Sequence, residues 1–217
     1  MQTSSSLFST RNIVLLVLVV SVALISLLMA FHLRHPVSRQ GVGFANEEVV
    51  IFPIGRDIKA FQLRTAEDQA FTPVNFLNHW TLLLFGFTHC ADVCPANLSM
   101  LSQIYDSLHN QYPNLQVVLV SLDPERDNKV SLNKYVKSFH ADFMGVSGAT
   151  SALRKLQSDL GIYAIRDESQ GSNYQIQHSP SILLINPQGK WVGQFKYGLS
   201  PQKFMETFNK SMTLFNG

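Results

Sequence analysis

The strongest hydropathy signal in the chain is one uninterrupted apolar run, Ile13 to Phe31, nineteen residues with no charge and two serines. As a helix it would be about 28 Å long at ~1.5 Å per residue, close to the hydrocarbon thickness of a bilayer. The run is longer than the core of a secretory signal, and Phe31-His32-Leu33-Arg34-His35-Pro36 follows it in place of a small-residue cleavage site, so an uncleaved anchor is expected. The pattern divides this region into a short tail (1–11), a transmembrane anchor (12–31) and a linker (32–48) in which Pro36, Ser38, Gly41 and Gly43 break any regular period.

From Val49 onward, over 49–217, short β-rich runs alternate with helical stretches, the signature of an α/β layer fold. Thr81–Phe87, Leu115–Ser121 and Ser181–Asn186 are apolar throughout and read as central strands covered on both faces. Phe61–Phe71 has polar turn residues between two β-prone ends and predicts a preceding hairpin. Helices are expected at about 94–109, 128–139, 150–160 and 201–212. Pro95 falls in a first turn, Thr150 is a candidate cap, and Ser200-Pro201 is a cap followed by proline at the first helical position. Asn186-Pro187-Gln188-Gly189 supplies turn chemistry for a terminal hairpin closing on Trp191–Phe195. That order, with a cysteine pair at the end of the first central strand, predicts a thioredoxin-like domain with an N-terminal hairpin extension, preceded by one transmembrane helix.

Composition narrows the function. At 46% hydrophobic and 15% charged the chain is not a disordered one, and a net charge of +2 without a Lys/Arg cluster lacks the footprint of nucleic-acid binding. There is no Gly-rich phosphate loop and no repeat period. Arg11 and the amino terminus on one side of the apolar run face Arg34 and Arg39 on the other, so charge alone leaves the orientation open. The leader carries one Arg, unlike an Arg-rich transit peptide, which favours a bacterial inner membrane over a mitochondrial one.

The two cysteines of the chain, Cys90 and Cys94, lie where an apolar strand gives way to a helix, at the carboxyl edge where α/β sheets keep their sites. In helical geometry, α carbons four residues apart are about 6 Å apart, within reach of a disulfide, so dithiol and disulfide are both accessible. Unpaired N–H groups and the positive end of the helix dipole favour the thiolate, which serves redox chemistry and metal binding equally. A structural disulfide or two small buried hydrophobes are the plainer alternatives, although so short a loop restricts the unfolded chain little.

A metal held by two thiolates needs a third ligand. Of seven histidines, His178 is the best placed: Gln175–Pro180 leads into the strand at 181–186, and Pro180 stands where thioredoxin-like folds set a proline facing the cysteines. His89, next to Cys90, is the rival, as an alternative ligand or a neighbour of the ligands. Two thiolates and one imidazole suit monovalent copper, whereas structural zinc generally takes four protein ligands.

Three segments carry a resemblance to a known family: Phe85–Pro95 (FGFTHCADVCP), Val120–Asp127 (VSLDPERD) and Tyr174–Lys190 (YQIQHSPSILLINPQGK) resemble the SCO/SenC copper chaperones, bacterial type, over about Phe61 to the C-terminal helix. The resemblance implies a thioredoxin-like fold anchored by one helix, with Cys90, Cys94 and His178 as ligands to copper, as Cu(I), Cu(II) or both. It further implies a copper donor protein and the CuA-bearing subunit of cytochrome c oxidase as partners, and a single-pass placement in the inner membrane with the C-terminal domain in the periplasm. Asp123 matches the acidic residue of the family motif; a helix cap or turn former is the alternative. Ala91 stands in place of the family's proline after the first cysteine, and Gln177 in place of the acidic residue before the histidine.

The leading expectation is therefore a metallochaperone, not an enzyme in the strict sense. A thiol-disulfide oxidoreductase that uses Cys90 and Cys94 as a redox pair to keep the CuA cysteines reduced is the second. A peroxiredoxin-type peroxidase is disfavoured, because Thr88-His89-Cys90 lacks the proline, hydroxyl and arginine arrangement that polarises peroxide.

Overall fold

In this computed structural model, which describes residues 10–34 and 44–215, the elements run α1 (Thr10–Arg34), β1 (Phe44–Ala45), β2 (Val49–Asp57), β3 (Leu63–Thr65), β4 (Ala70–Phe71), β5 (Trp80–Gly86), α2 (Val93–Gln111), β6 (Leu115–Ser121), α3 (Lys129–Lys137), β7 (Met144–Ser147), α4 (Thr150–Asp159), β8 (Ala164–Asp167), β9 (Gln175–His178), β10 (Ile182–Ile185), β11 (Lys190–Phe195) and α5 (Pro201–Thr213). Helix α1 and the β1–α5 region are separate compact units. Among the described residues no helix is long and apolar enough to cross a membrane. The expected tail, except for Thr10 and Arg11, and much of the expected linker lie outside the described residues.

Nine strands form one mixed sheet in the order β1-β2-β11-β10-β5-β6-β7-β3-β4, and β8-β9 form a separate two-stranded sheet. Strands β5, β6 and β7 are parallel, with Leu83 opposite Val118 and Val120 opposite Val146; β10 runs antiparallel to β5 with Leu183 opposite Leu83. Period-two alternation makes both faces core. Leu82, Leu84, Val117, Leu119 and Leu184 pack with α2, α3 and α5 on one side. Leu83, Phe85, Val118, Val120 and Ile185 pack with α4 and with Ile176 of β9 on the other.

The expected central strands, the four helices and both hairpins form where the pattern placed them. Ser200 caps α5 by accepting the Lys203 N–H, and Gly189 takes φ +72° in the turn between β10 and β11, where a side chain would be strained. Thr150 is not a cap: the N-cap of α4 is Ala149. Phe44 and Ala45, within the stretch read as linker, pair with β2.

A candidate metal centre

Strand β5 ends at Gly86, Phe87 turns into the core at 1% exposure, and the chain loops through Thr88–Asp92 before α2 begins at Val93. Cys94 therefore sits in the first helical turn and is buried, whereas Cys90 is half-buried in the loop ahead of the helix. The helix begins next to Cys94, as expected, and Cys90 lies ahead of it and reaches its partner by the loop turning back. Its sulfur accepts the Cys94 backbone N–H at 3.4 Å, satisfying one of the amides that a helix start leaves without an intrahelical partner.

His178 ends β9 and is paired across the two-stranded sheet with Ala164. Its ring is 7% exposed and stands edge-on to Phe87, with centroids 6.0 Å apart. Nδ1 lies 3.0 Å from the Ser179 carbonyl oxygen. A carbonyl only accepts, so Nδ1 carries the proton and Nε2 presents its lone pair. That lone pair faces both thiols, 3.3 Å from Cys94 Sγ and 3.9 Å from Cys90 Sγ. The segment beyond His178 is held by α2, where buried Asn97 donates Nδ2–H to the Pro180 carbonyl at 2.8 Å.

The three donor atoms, two Sγ and one Nε2, lie within 4.8 Å of one another, and they form the single such group among the described residues. Bonds near 2.3 Å to sulfur and 2.0 Å to nitrogen in a trigonal arrangement would separate sulfur from nitrogen by about 3.7 Å and the two sulfurs by about 4.0 Å. The observed spacing is already of that size, so the donor set fits a low-coordinate soft metal ion with small adjustments.

The two thiols are unequal. Cys90 is lowered to about 4, first by the hydrogen bond from the Cys94 thiol and then, against the cost of burial, by the backbone N–H groups of Asp92 and Cys94. Cys94 is pushed well above the usual thiol range, because its proton is held by Cys90, its sulfur is buried and its own ionisation would meet the Cys90 charge. The pair thus holds one thiolate and one thiol around neutrality, a nucleophile beside a proton donor and, for a metal, one ligand ready and one that must release a proton.

The other singled-out residues lie apart. His89 is exposed and its Nδ1 meets Thr88 Oγ1 at 3.0 Å; it is not among the three donors. Ala91 and Gln177 are exposed. Asp123 is outside the donor group and is not the cap of α3, a role taken by Asn128, which accepts the Ser131 N–H. Its carboxylate instead accepts from Tyr174 Oη at 2.6 Å and Arg126 Nε at 2.5 Å. Asp127, in the same motif but passed over in the sequence, is 2% exposed and accepts from Thr88 and Ser121; burial raises its pKa. The signal that could have marked it is a second aspartate in the loop of residues 122–128 directly after a central strand.

The SCO1/SenC family model matches residues 55–213. The chain is 32% identical over 158 residues, 71% of its length, to the mitochondrial SCO2 homolog of Danio rerio, of which the match spans 57%, less than two thirds. The structure of Arabidopsis thaliana ScoI with copper bound superposes with a TM-score of 0.68 at 28% identity, covering 72% of this chain and 99% of that one. Bradyrhizobium japonicum ScoI with copper bound gives 0.63 at 27%, covering 75% and 98%. With the family match extending from β2 to the end of α5 and the thioredoxin-like domain shared with both ScoI structures, this chain belongs to the SCO1/SenC family.

Proposed function

We propose that the chain is a membrane-anchored copper chaperone in which Cys90, Cys94 and His178 hold the ion, and that it helps assemble the CuA centre of cytochrome c oxidase by receiving copper from a donor protein and passing it to the CuA-bearing subunit. One observation carries the reading: an imidazole nitrogen aimed at two sulfurs at 3.3 and 3.9 Å, from a strand more than eighty residues away in sequence. Bound there, the ion is a soft cation exchangeable between thiolate sites. The chain contributes a preformed thiolate at Cys90, a second sulfur after loss of the Cys94 proton, and an imidazole whose tautomer is set by Ser179. Half-burial of Cys90 leaves one face of the site open to a partner, and the two ScoI relatives solved with copper support the choice of ion.

The anchor rests on the sequence: the nineteen-residue apolar run Ile13–Phe31 would be about 28 Å long as a helix, close to a bilayer core of ~30 Å. In this reading the domain faces the bacterial periplasm, where a thiol pair is open to oxidation and copper arrives. A second reading is favoured by the unequal thiols: thiolate Cys90 attacks a client disulfide, Cys94 resolves the mixed disulfide, and the client leaves with two thiols while Cys90 and Cys94 become bonded.

Anaerobic titration of the reduced full chain with Cu(I) separates the two. The chaperone reading expects one ion per chain, with binding lost in His178→Ala while that variant keeps its rate of thiol-disulfide exchange. Undiminished copper affinity in His178→Ala would sink the three-ligand site.

A further inference from the structure

Both segments that carry the donor atoms are hydrogen-bonded to one turn, residues 123–127 between β6 and α3. On the cysteine side, Asp127 accepts from the Thr88 N–H at 3.1 Å and from Thr88 Oγ1 at 2.5 Å, two residues ahead of Cys90. On the histidine side, Asp123 accepts from Tyr174 Oη at 2.6 Å, and Arg126 donates to the carbonyls of Ser172 and Tyr174 while stacking 3.5 Å over the Tyr174 ring, four residues ahead of His178. Ser121 joins the halves: its hydroxyl donates to Asp127 at 2.7 Å and accepts the Asp123 N–H at 3.0 Å. The two carboxylates are 3% and 2% exposed, and buried charge is tolerated only where its acceptors are filled.

The topology says why such a bridge matters. Strand β9, with His178, belongs to a two-stranded sheet separate from the sheet that ends in the cysteine loop, so no ladder between the two sheets sets how far the imidazole stands from the sulfurs. Side chains must do it.

We propose that the 123–127 turn is a positioning device for the copper site, with Thr88 and Tyr174 as its two arms and Ser121 as the joint, so that Cys90 and His178 are held at ligand distance before copper arrives. The inference rests on the three-donor reading above. Breaking either arm frees one donor segment, and neighbours that orient ligands are worth about ten- to a hundredfold in metal affinity.

The test uses the full chain in detergent micelles, with Cu(I) affinity measured anaerobically against a chromophoric Cu(I) chelator and the urea midpoint of the metal-free protein measured alongside. Thr88→Val and Tyr174→Phe, which remove one hydroxyl each with shape retained, are expected to weaken Cu(I) binding about tenfold without a matching fall in the midpoint. Their combination should lose less than the product of the two, because either break already relaxes the same spacing. Thr88→Ser, which keeps the hydroxyl, should restore affinity. His89→Ala should leave it unchanged, showing that the loss in Thr88→Val does not come from the Thr88–His89 contact. Wild-type affinity in both single variants, or losses that only follow the urea midpoint, overturn the inference alone. A wild-type chain that binds no Cu(I) overturns the three-donor reading and the inference with it.

Discussion

The sulfur of Cys94 occupies the space that a side chain at Gly86 would need: a Cβ there would lie 2.6 Å from Cys94 Sγ and 3.1 Å from Leu119 Cδ1. The seat for the buried ligand is thus made at the last residue of β5, by the absence of an atom. Gly86→Ala must displace either the sulfur or the strand, and overpacking of this kind costs about 1–3 kcal/mol. The expected outcome is a lower urea midpoint together with at least tenfold weaker Cu(I) binding. Unchanged affinity would show that the sulfur can move aside without consequence.

The unequal thiols give the reduced, metal-free protein a defined pH dependence. An unfolded cysteine ionises near 8.5, and Cys90 ionises at about 4 in the fold, so its contribution to stability is complete above the unfolded value and is lost as pH falls through about 4. Cys94 is shifted the other way, so its contribution is complete below the unfolded value and is lost as pH rises beyond it. Stability should climb from about pH 4 to about pH 8 and decline above ~9. Urea melts across this range compare wild type with Cys90→Ser, in which the acid-side slope should flatten; parallel profiles would contradict the lowered Cys90.

Asn97 offers a test of how the histidine segment is docked. Its amide is buried and donates to the Pro180 carbonyl at 2.8 Å, and removing a donor from a buried acceptor costs about 1–3 kcal/mol. Asn97→Ala should lower stability by that amount and weaken Cu(I) binding through His178, read by calorimetry and chelator competition on the same preparation. A stability loss with affinity intact would confine Asn97 to a structural role.

Tyr135 makes the opposite prediction. Its hydroxyl is buried with no hydrogen-bond partner, and burial pushes its pKa up. Tyr135→Phe removes an unsatisfied polar atom, so the urea midpoint should stay level or rise, by up to about 1 kcal/mol. A drop beyond ~1 kcal/mol would mean that the hydroxyl is bonded in solution.

Which parts of the fold could be read from the chain follows from how local their causes are. Strands β5, β6 and β10 are apolar on both faces, and α2, α3, α4 and α5 show turn, cap or proline signals near their starts. Strand β2 shows no clean period because Pro53, Gly55 and Arg56 interrupt VVIFPIGRD. In the sheet the ladder jumps from Trp191 opposite Arg56 to Gly193 opposite Ile51, so residues 52–55 bulge and the proline costs no paired N–H. Strands β7, β8 and β9 have four residues each, too few for a period to show, and β8 and β9 are largely polar.

The identity of the three donors is written locally: a cysteine pair at a strand-to-helix junction, a histidine ahead of a proline and a core strand, and motifs specific enough to name a family. Their distances, the imidazole tautomer, the division of one proton between two sulfurs and the bracing by Asp123 and Asp127 are not. Each of these depends on groups far apart in the chain meeting in space, Thr88 with Asp127, Tyr174 with Asp123 and Cys94 with His178. A side chain's chemistry comes with its residue type, whereas its distance from a partner is settled only when the core of the domain is packed.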